Sequence, residues 1–349
     1  LEVAAALVKA GHVSIVISAG GAMVEELNAQ GSHHVTWDLG RKNPITFAEF
    51  LKLRQWLEQH KPDILHVRSR MPAWVCWLAW KSLPASSRPR LVTTVHGLYS
   101  VSRYSGIMCR GERVVAVSET VNEYILNNYP WIDQQRIRLI YRGVDPQQFP
   151  YNYQPDAEWL AAWYTAYPQT KGKKIITLPG RLTRLKGHNE FIDLLGQLKA
   201  QRNDVIGLIV GGEDPKRKAY AQSLKSRIND EGLNDTVILT GARNDIVNIY
   251  AISDLVLSLS TKPESFGRTV LESLRLGVPT FGYAHGGVAE ILTAVYPQGL
   301  VPVADNTTLF DQVTKHLDDP VKPESSNLFT REEMLEKTLA LYHELLKQD

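Results

Sequence analysis

Residues 175–187 read IITLPGRLTRLKG, and this stretch decides the fold class. Its first four residues have the length and composition of a buried strand. A Pro-Gly pair ends that strand, and a helical pattern begins near Gly187. A buried strand that passes through a glycine turn into a helix is the repeating unit of a parallel sheet. Such sheets bind ligands beyond the carboxyl ends of their strands.

The same alternation of apolar runs and helical patterns extends in both directions along the chain. Strands are predicted at 13–17, 64–67, 91–95, 114–117, 137–140, 175–178, 205–210, 237–239, 255–259 and 279–283. Residues 47–59 have a helical pattern. Strands that alternate with helices predict parallel sheets with right-handed crossovers, so the fold class is α/β and doubly wound.

The length of the chain predicts two domains. A chain of 349 residues is longer than one hydrophobic core usually organises. Residues 150–172 are rich in Tyr, Pro and Trp and carry no clear strand, so we place a junction there. We predict one Rossmann-like domain at 1–150, a second at 151–330, and an amphipathic C-terminal helix within 331–349.

The first ten residues already have a helical pattern, and Gly11 is a suitable C-cap. A Rossmann-like domain begins with a strand and a glycine-rich turn before its first helix. We therefore expect one strand and one loop upstream of residue 1.

The composition is that of an ordinary globular protein. The formal net charge is +2, which gives no argument for nucleic acid as a partner. The two cysteines, Cys76 and Cys109, match no metal-ligand spacing and form no disulfide framework, which favours a cytoplasmic location. No apolar run is long enough to span a bilayer.

The loop after strand 175–178 is the first candidate site. Arg181 and Lys186 offer two cations from one loop, which suits a diphosphate. Gly180 lets the backbone approach a ligand closely. The alternative is an ordinary basic loop with solvated charges.

A second candidate site is the stretch PESFGRTVLE at 263–272. Gly267 is expected to open a helix whose first turn presents unpaired N–H groups, those of Arg268, Thr269 and Val270. Two carboxylates, Glu264 and Glu272, flank this anion site, and hydroxyls of a sugar and a ribose would explain them. The alternative is a helix with surface glutamates.

Two histidines end strands of the first domain. His96 lies directly before a glycine, and His66 is followed by Arg68 and Arg70. His66, Arg68 and Arg70 would line an anionic acceptor site, and the place of His96 at a strand end favours a functional role. The alternatives are a structural histidine and solvated arginines.

Together these motifs resemble the retaining GT-B glycosyltransferases of family four. The motifs that carry the resemblance are GRLTRLKG at 180–187, PESFGRTVLE at 263–272, YRGVDPQQF at 141–149, VAVSETV at 115–121 and YAHGGVAEI at 283–291. The resemblance covers nearly the whole chain. It implies two Rossmann-like domains with an interdomain cleft, and a final helix, from Arg331 onward, that packs back on the first domain.

The resemblance also implies roles for single residues. His96, Arg181, Lys186 and Glu264 would be catalytic: the two cations would hold the donor diphosphate, and the other two would contact the donor sugar. Further donor contacts are implied for Gly180 and, at the sugar, for the N–H groups of Phe266 and Gly267. Arg268, Thr269 and Val270 would lie near the phosphate. Glu272 would bind the ribose, and the backbone around Arg243 would contact the base. No metal and no cofactor is implied, because cationic side chains replace Mg²⁺.

A narrower resemblance concerns the acceptor. The sequence resembles enzymes that build lipopolysaccharide core at three places, which are Arg268, VRSRMPAW at 67–74 and TVHGLYS at 94–100. It implies a glycan or lipid-linked acceptor, reached by an enzyme that is cytoplasmic or peripheral on the inner membrane face. Acceptor-side residues would be His66, Arg68, Arg70 and Tyr99. The donor is a nucleotide-diphosphate sugar of UDP, GDP or ADP type.

Three rival functions stay open at this point. An epimerase or phosphorylase of similar shape would also bind a phosphate, and a sensor of nucleotide sugars would bind without catalysis. A nicotinamide enzyme is indicated only by Gly20 and Gly21 after a strand, without the full glycine fingerprint or its acidic partner.

Overall fold

The computed structural model describes residues 1–213 and 218–347. The chain forms two compact units: Leu1–Arg142 together with the segment from Arg331 onward, and Gly143–Thr330. The sequence pattern places the junction at 150. In the structure the backbone already joins the second unit at Val144, which forms a β-bridge with Thr330.

The first unit contains two parallel sheets. Strands β1 and β2 form one, and β3–β4–β5–β6 form the other, in that order. The strands are β1 Ile15–Ser18, β2 His33–Thr36, β3 Ile64–Val67, β4 Arg90–Val95, β5 Arg113–Ala116 and β6 Ile137–Leu139, and the helices are α1 Glu2–Lys9, α2 Val24–Ala29, α3 Pro44–His60, α4 Arg70–Ser82 and α5 Glu119–Asn128.

The core of the first unit lies between the four-stranded sheet and the helices on one of its faces. Leu53 of α3, Val75 of α4, Val114 of β5 and Ile125 of α5 are all fully buried in one cluster. Burial of side chains this large stabilises a fold by roughly 2 kcal/mol each. This packing holds the carboxyl ends of β3 and β4 in fixed positions.

The second unit has one six-stranded sheet, and all its paired strands are parallel. The strand order is β12–β11–β10–β7–β8–β9. The strands are β7 Lys174–Pro179, β8 Val205–Val210, β9 Val237–Gly241, β10 Leu255–Ser258, β11 Thr280–Tyr283 and β12 Leu300–Val301, and the helices are α6 Ala157–Ala166, α7 His188–Gln201, α8 Lys218–Asp230, α9 Ile246–Ala251, α10 Arg268–Arg275, α11 Gly286–Val295 and α12 Asn306–Asp318.

The central strands of this sheet are buried on both faces. All six residues of β8 are buried, as are all four of β10. Parallel sheets need helices on both faces, and their strands are therefore continuous apolar runs, which is why the sequence pattern locates them. The predicted fold class, α/β with two Rossmann-like units, is confirmed.

The last helix, α13 Arg331–Leu346, packs on the sheet of the first unit. Its Leu341, Tyr342 and Leu345 join a buried cluster with Val92 and Val115 of that sheet. The Glu344 carboxylate also accepts hydrogen bonds from Arg113 at 2.8 Å and Arg138 at 2.7 Å.

In the described part of the chain, residues 1–213 and 218–347, no helix is long and apolar enough to cross a membrane.

Candidate functional site

The candidate site lies where the strand order of the second unit reverses. The chain runs outward from β7 through β8 to β9, then returns to the other side of β7 with β10 and continues to β12. Ligands of open parallel sheets bind at this switch point, between the loops that follow the two central strands. Those loops are residues 180–187 after β7 and 259–267 after β10.

A salt bridge joins the two loops. The Lys186 ammonium lies 2.6 Å from Oε1 of Glu264, and the Ser260 hydroxyl donates to the same oxygen. Both charged side chains are partly exposed, so solvent screens the pair and its contribution to stability is modest. The pair brings a cation and a carboxylate from distant parts of the chain to one point.

The loops line a cavity of about 310 Å³. Lys262 lines it together with the predicted Arg181 and Lys186. Its lining, within residues 1–213 and 218–347, is Arg181, Thr183, Leu185, Lys186, Ser260, Lys262, Pro263 and Glu264. In this set three positive charges face one carboxylate, which favours an anionic ligand.

Gly187 allows the two loops to lie against each other. Its backbone is left-handed, with φ of 73°, and a Cβ at this position would lie 2.1 Å from the carbonyl oxygen of Leu259. No other residue type satisfies both conditions without displacing a loop. The Lys186–Glu264 contact therefore depends on glycine at 187.

A second close contact holds the loop before α10. The N–H of Gly287 in α11 donates to the Glu264 carbonyl oxygen at 2.8 Å. A Cβ at Gly287 would lie 2.3 Å from Cα of Phe266. The sequence motif at 283–291 thus has a structural purpose, which is to support the loop that carries Glu264.

The start of α10 differs from the prediction in one detail. Gly267 is the N-cap residue, with φ of 91°, and α10 begins at Arg268 as expected. The Val270 N–H, however, donates to the Gly267 carbonyl oxygen at 3.1 Å. The prediction that this N–H is unpaired is therefore wrong, because the first turn closes on itself in the tighter i to i+3 pattern.

Glu272 is a largely buried carboxylate, with 12% of its side chain exposed. It accepts a hydrogen bond from Arg268 at 2.8 Å. Burial raises the pKa of Glu272, and Arg268 opposes that shift. Arg268 and Glu272 thus act as a pair one helical turn apart, and the Arg268 side chain has a structural partner whether or not a ligand is present.

The side chain of Arg243 is engaged with its own neighbourhood. It forms two hydrogen bonds with Asp245, at 2.6 and 2.9 Å, and its guanidinium lies 5.8 Å from the ring centre of Trp163. Asp245 also accepts from Trp159 at 2.8 Å. This network fixes the loop after β9. The backbone of that loop, and not the Arg243 side chain, is the part available for the predicted contact with the nucleotide base.

His66 links three elements of the first unit. Its Nδ1 lies 2.5 Å from the Tyr342 hydroxyl of α13, and its Nε2 lies 2.6 Å from the Thr94 hydroxyl of β4. Burial lowers the pKa of His66 well below its usual value, so the ring is neutral. Both ring nitrogens have protein partners, which favours the structural alternative for this residue.

His96 follows β4 and contacts a cation. Its Nδ1 lies 2.7 Å from the Arg142 guanidinium. Burial and the charge of Arg142 lower the pKa of His96 to about 3. Its backbone N–H donates to the Tyr99 hydroxyl at 3.3 Å, so the structure brings together His96 and Tyr99, two predicted site residues.

Arg70 is held in place on the same side of the first unit. It donates to the Ser105 hydroxyl at 3.1 Å, and its guanidinium lies 4.6 Å from the ring centre of Tyr99. The charge of Arg68 acts on both His66 and His96. The predicted acceptor-side residues, His66, Arg68, Arg70 and Tyr99, therefore lie near one another.

Sequence reasoning missed Ser260, Lys262 and His285. Ser260 bonds Glu264, Lys262 lines the cavity, and the His285 ring donates from Nε2 to the Ser260 carbonyl oxygen at 2.8 Å. One signal was present, since Ser260 and Lys262 lie between a predicted strand and a predicted site residue. Nothing local in the sequence marks the His285 contact.

Comparison with known families matches both units. Residues 1–148 match Glycosyltransferase Family 4, and residues 165–332 match Glycosyl transferases group 1. A solved glycosyltransferase from Rickettsia africae ESF-5 is 30% identical, with a TM-score of 0.86 over 100% of this chain and 94% of that one.

Two relatives have names that describe different activities. N-acetyl-alpha-D-glucosaminyl L-malate synthase of Bacillus anthracis is 23% identical over 322 residues, which is 88% of this chain and 81% of the relative. Lipopolysaccharide core biosynthesis mannosyltransferase LpsB of Rhizobium meliloti is 28% identical over 183 residues, 52% of this chain and 50% of that protein.

Proposed function

The chain belongs to family 4 of the retaining glycosyltransferases, and from this premise we propose that the cavity between the loops after β7 and β10 binds the donor. The enzyme uses a nucleotide sugar. The observation that carries the proposal is the convergence of Arg181, Lys186 and Lys262 on one cavity at the switch point of the sheet. A diphosphate there meets fixed positive charges and the N-terminal end of α10.

Glu264 is proposed to bind the donor sugar. A carboxylate accepts hydrogen bonds from sugar hydroxyls, and Glu264 is oriented for this by Lys186, Ser260 and the Gly287 N–H. The N–H groups of Phe266 and Gly267 are proposed to approach the sugar, and Glu272 to accept from the ribose hydroxyls. The remaining proposed donor contacts are Gly180, Arg243, Arg268 and Thr269.

Retention is proposed to proceed by attack on the same face as the leaving diphosphate. Glu264 is a poor covalent nucleophile, because Lys186 and Ser260 already bond its Oε1. The diphosphate oxygen then accepts the proton of the attacking hydroxyl. Arg181 and Lys186 stabilise the negative charge that develops on the leaving group, which is the kind of contribution that is largest in enzymes.

A thermal-shift screen tests the donor site. UDP, GDP, ADP and their sugars are compared, because the cavity selects a diphosphate and not a particular base. A ligand at a hundredfold its Kd adds about 2.7 kcal/mol to the free energy of unfolding. One nucleotide diphosphate should raise Tm, and the Arg181→Ala variant should lose that shift. A wild-type protein that responds to none of them contradicts the proposed site.

Nucleotide release with and without acceptors separates transfer from its rivals. A transferase releases nucleotide quickly only when an acceptor is present. An epimerase works with the donor alone, and a binding protein turns over neither. Acceptor-independent conversion of the donor would therefore replace the proposed function with epimerisation.

A finer proposal concerns the acceptor, which we propose to be a glycolipid or glycan at an anionic membrane surface. The process would be the synthesis of lipopolysaccharide core or of a cell-surface polysaccharide, on the inner face of the cytoplasmic membrane. Residues 64–111 of the first unit contain no Asp or Glu but the seven cations Arg68, Arg70, Lys81, Arg88, Arg90, Arg103 and Arg110. Within this stretch Arg110 lies 5.2 Å from the ring centre of Trp77 and 5.1 Å from that of Trp131, whose side chain is 52% exposed. Exposed Trp beside Arg is typical of a surface that meets anionic headgroups.

Sedimentation with vesicles tests the acceptor proposal. The protein should bind vesicles that contain anionic lipid, more weakly at high salt, and Arg110→Glu should reduce that binding. The matched control is Lys171→Glu, an exposed lysine of the second unit, which should bind like the wild type. Equal binding of all three proteins, or equal binding to neutral vesicles, contradicts the membrane proposal and leaves the donor site untouched.

A further inference from the structure

The contact between His96 and Arg142 determines where the histidine carries its proton. Arg142 follows β6, His96 follows β4, and Nη2 of the arginine lies 2.7 Å from Nδ1 of the ring. A guanidinium has only donors, so the ring nitrogen that faces it must accept. In a neutral imidazole the proton then resides on Nε2.

The surroundings of His96 keep the ring neutral. The titratable and charged groups around it are Arg142, Arg68 on the loop after β3, His66 on β3, and Tyr99 on the loop after β4. Burial lowers the pKa of His96 most, and the two arginines, which are cations that repel a proton on the ring, add to this effect, so the pKa falls to about 3. His66 is itself neutral and bonded through both ring nitrogens.

We propose that Arg142 is a positioning residue, which holds His96 in the neutral tautomer with its proton on Nε2. In that form the ring donates a hydrogen bond through Nε2 and has no lone pair there with which to act as a general base. The proposal rests on the proposed function for one point only, that the Nε2–H serves an oxygen of a bound sugar. It gives the motif that begins at Tyr141 a chemical purpose in this chain.

The proposal is consistent with retention. An inverting enzyme needs a general base to deprotonate the acceptor, and His96 is the first-domain loop residue with a suitable ordinary pKa. A cation fixed at Nδ1 prevents His96 from acting as a general base, because Nε2 already carries the proton and the positive charge beside Nδ1 repels a second one. Arg142 thus excludes base chemistry at His96 by charge and geometry together.

The experiment observes the histidine ring directly. Two-bond ¹H–¹⁵N NMR spectra of ¹⁵N-histidine-labelled protein report which ring nitrogen carries the proton, with His96→Gln to assign the signal. The wild type should show the Nε2–H tautomer, unchanged from pH 5.5 to 8. In Arg142→Ala the ring should lose its fixed tautomer and its pKa should rise, while burial and Arg68 still hold that pKa below the ordinary value. Transfer at pH 6 should fall by about 10- to 100-fold, the size of one charge-assisted hydrogen bond.

Two further variants separate positioning from general damage. Arg142→Lys keeps a charged donor and should restore both the tautomer and most of the transfer rate. Arg41→Ala removes an exposed arginine of the same unit and should change neither. If Arg142→Ala loses activity equally at pH 6 and pH 8 while its His96 signal stays as in the wild type, Arg142 is merely structural and the proposal fails.

The NMR result stands apart from the proposed function. A wild-type ring with its proton on Nδ1, or charged at neutral pH, overturns the positioning role even in an active transferase. Conversely, an Nε2–H ring in a protein that transfers no sugar supports the tautomer assignment and refutes only the proposed function.

Discussion

Charge balance at the proposed donor cavity depends on single residues. The charge of Lys186 is neutralised by Glu264, at 2.6 Å. The cations that add net charge are therefore Arg181 and Lys262, both exposed at the cavity. In the proposed function, Lys186 serves both the diphosphate and Glu264.

Arg181→Ala and Lys186→Ala should leave folding intact and reduce kcat by about 100-fold each, because each removes a cation aimed at charge on the leaving group, worth roughly 3 kcal/mol. Initial rates at saturating donor measure this. Arg184→Ala is the matched control, since Arg184 lies in the same loop but stacks on Tyr220, with 5.4 Å to the ring centre. Near-normal rates in both Arg181→Ala and Lys186→Ala would mean that the donor diphosphate binds at another site.

Lys262→Ala should weaken binding of a nucleoside diphosphate more than binding of the monophosphate. An exposed charge–phosphate contact is worth about 1 kcal/mol, so a loss of about fivefold in affinity is expected. Calorimetric titration with both nucleotides gives the comparison, and Lys171→Ala, an exposed lysine outside the cavity, should bind as the wild type does. Equal losses for both nucleotides would mean that Lys262 acts only through general charge.

The pH dependence of stability should include a contribution from His188. This buried residue at the start of α7 has its pKa lowered to about 4 by burial, below the ordinary 6.5. Between these two pKa values the unfolded chain binds a proton that the folded chain does not bind. The contribution of His188 to the free energy of unfolding is therefore fully present above pH 6.5 and is lost as the pH falls toward 4, by up to about 1.4 kcal/mol per pH unit. Urea unfolding at pH 7.5 and 5 should show a smaller loss for His188→Gln than for the wild type. Identical losses would contradict this assignment.

At the scale of elements, glycines set how closely the site loops approach their neighbours. Gly187 fits against Leu259, and Gly287 against Phe266, at distances that no Cβ tolerates. These contacts join α7 to the loop after β10, and α11 to the same loop. The loop that carries Glu264 is therefore fixed from two sides.

Gly287→Ala should shift the loop before α10, lower stability by about 1–3 kcal/mol and weaken donor binding, because its Cβ would lie 2.3 Å from Phe266. Gly196→Ala is the opposite case. Gly196 lies inside α7, and its Cβ would meet only Leu233, at 3.9 Å, so this variant should gain about 0.5–1 kcal/mol. Denaturant unfolding and nucleotide titration of both variants check the pair. Unaltered donor binding in Gly287→Ala would show that the support from α11 is not needed.

At the scale of the whole molecule, the two units carry different chemical groups. The second unit holds the cations and carboxylates at its switch point, and the first unit holds His96, Arg142 and the acid-free basic stretch. Division of roles between units is consistent with a donor proposed for one and an acceptor for the other.

Transfer should survive an excess of chelator. Arg181 and Lys186 are proposed to supply the counter-charge that Mg²⁺ gives in metal-dependent transferases, so removal of divalent cations should change the rate less than about twofold, an effect of under 0.5 kcal/mol. The assay compares EDTA-treated enzyme with and without added Mg²⁺ or Mn²⁺. Activity that disappears in EDTA and returns with metal would mean that the cationic side chains are insufficient.

The sequence by itself determined the fold class and most of the residues of the candidate site. Buried parallel strands are continuous apolar runs, so residues 175–178 and 205–210 were visible, and glycine with charge after a strand marked Arg181, Lys186 and Glu264. These signals are local, because each depends on residues within one strand–loop–helix unit. The short strand β12 and the domain boundary at 142 lack such a signal, since they depend on pairing with distant residues.

Only the tertiary structure decided which of these residues meet. Lys186 and Glu264 are 78 positions apart and come into contact because β10 pairs with β7, and His96 and Arg142 are 46 apart and meet beyond the carboxyl ends of β4 and β6. Strand order in a parallel sheet is set by packing over the whole unit and leaves no mark in any one segment. The sequence therefore indicated the chemistry of the candidate site, while the order of the strands decided which of its residues pair, and with this the contact on which the proposed tautomer of His96 rests.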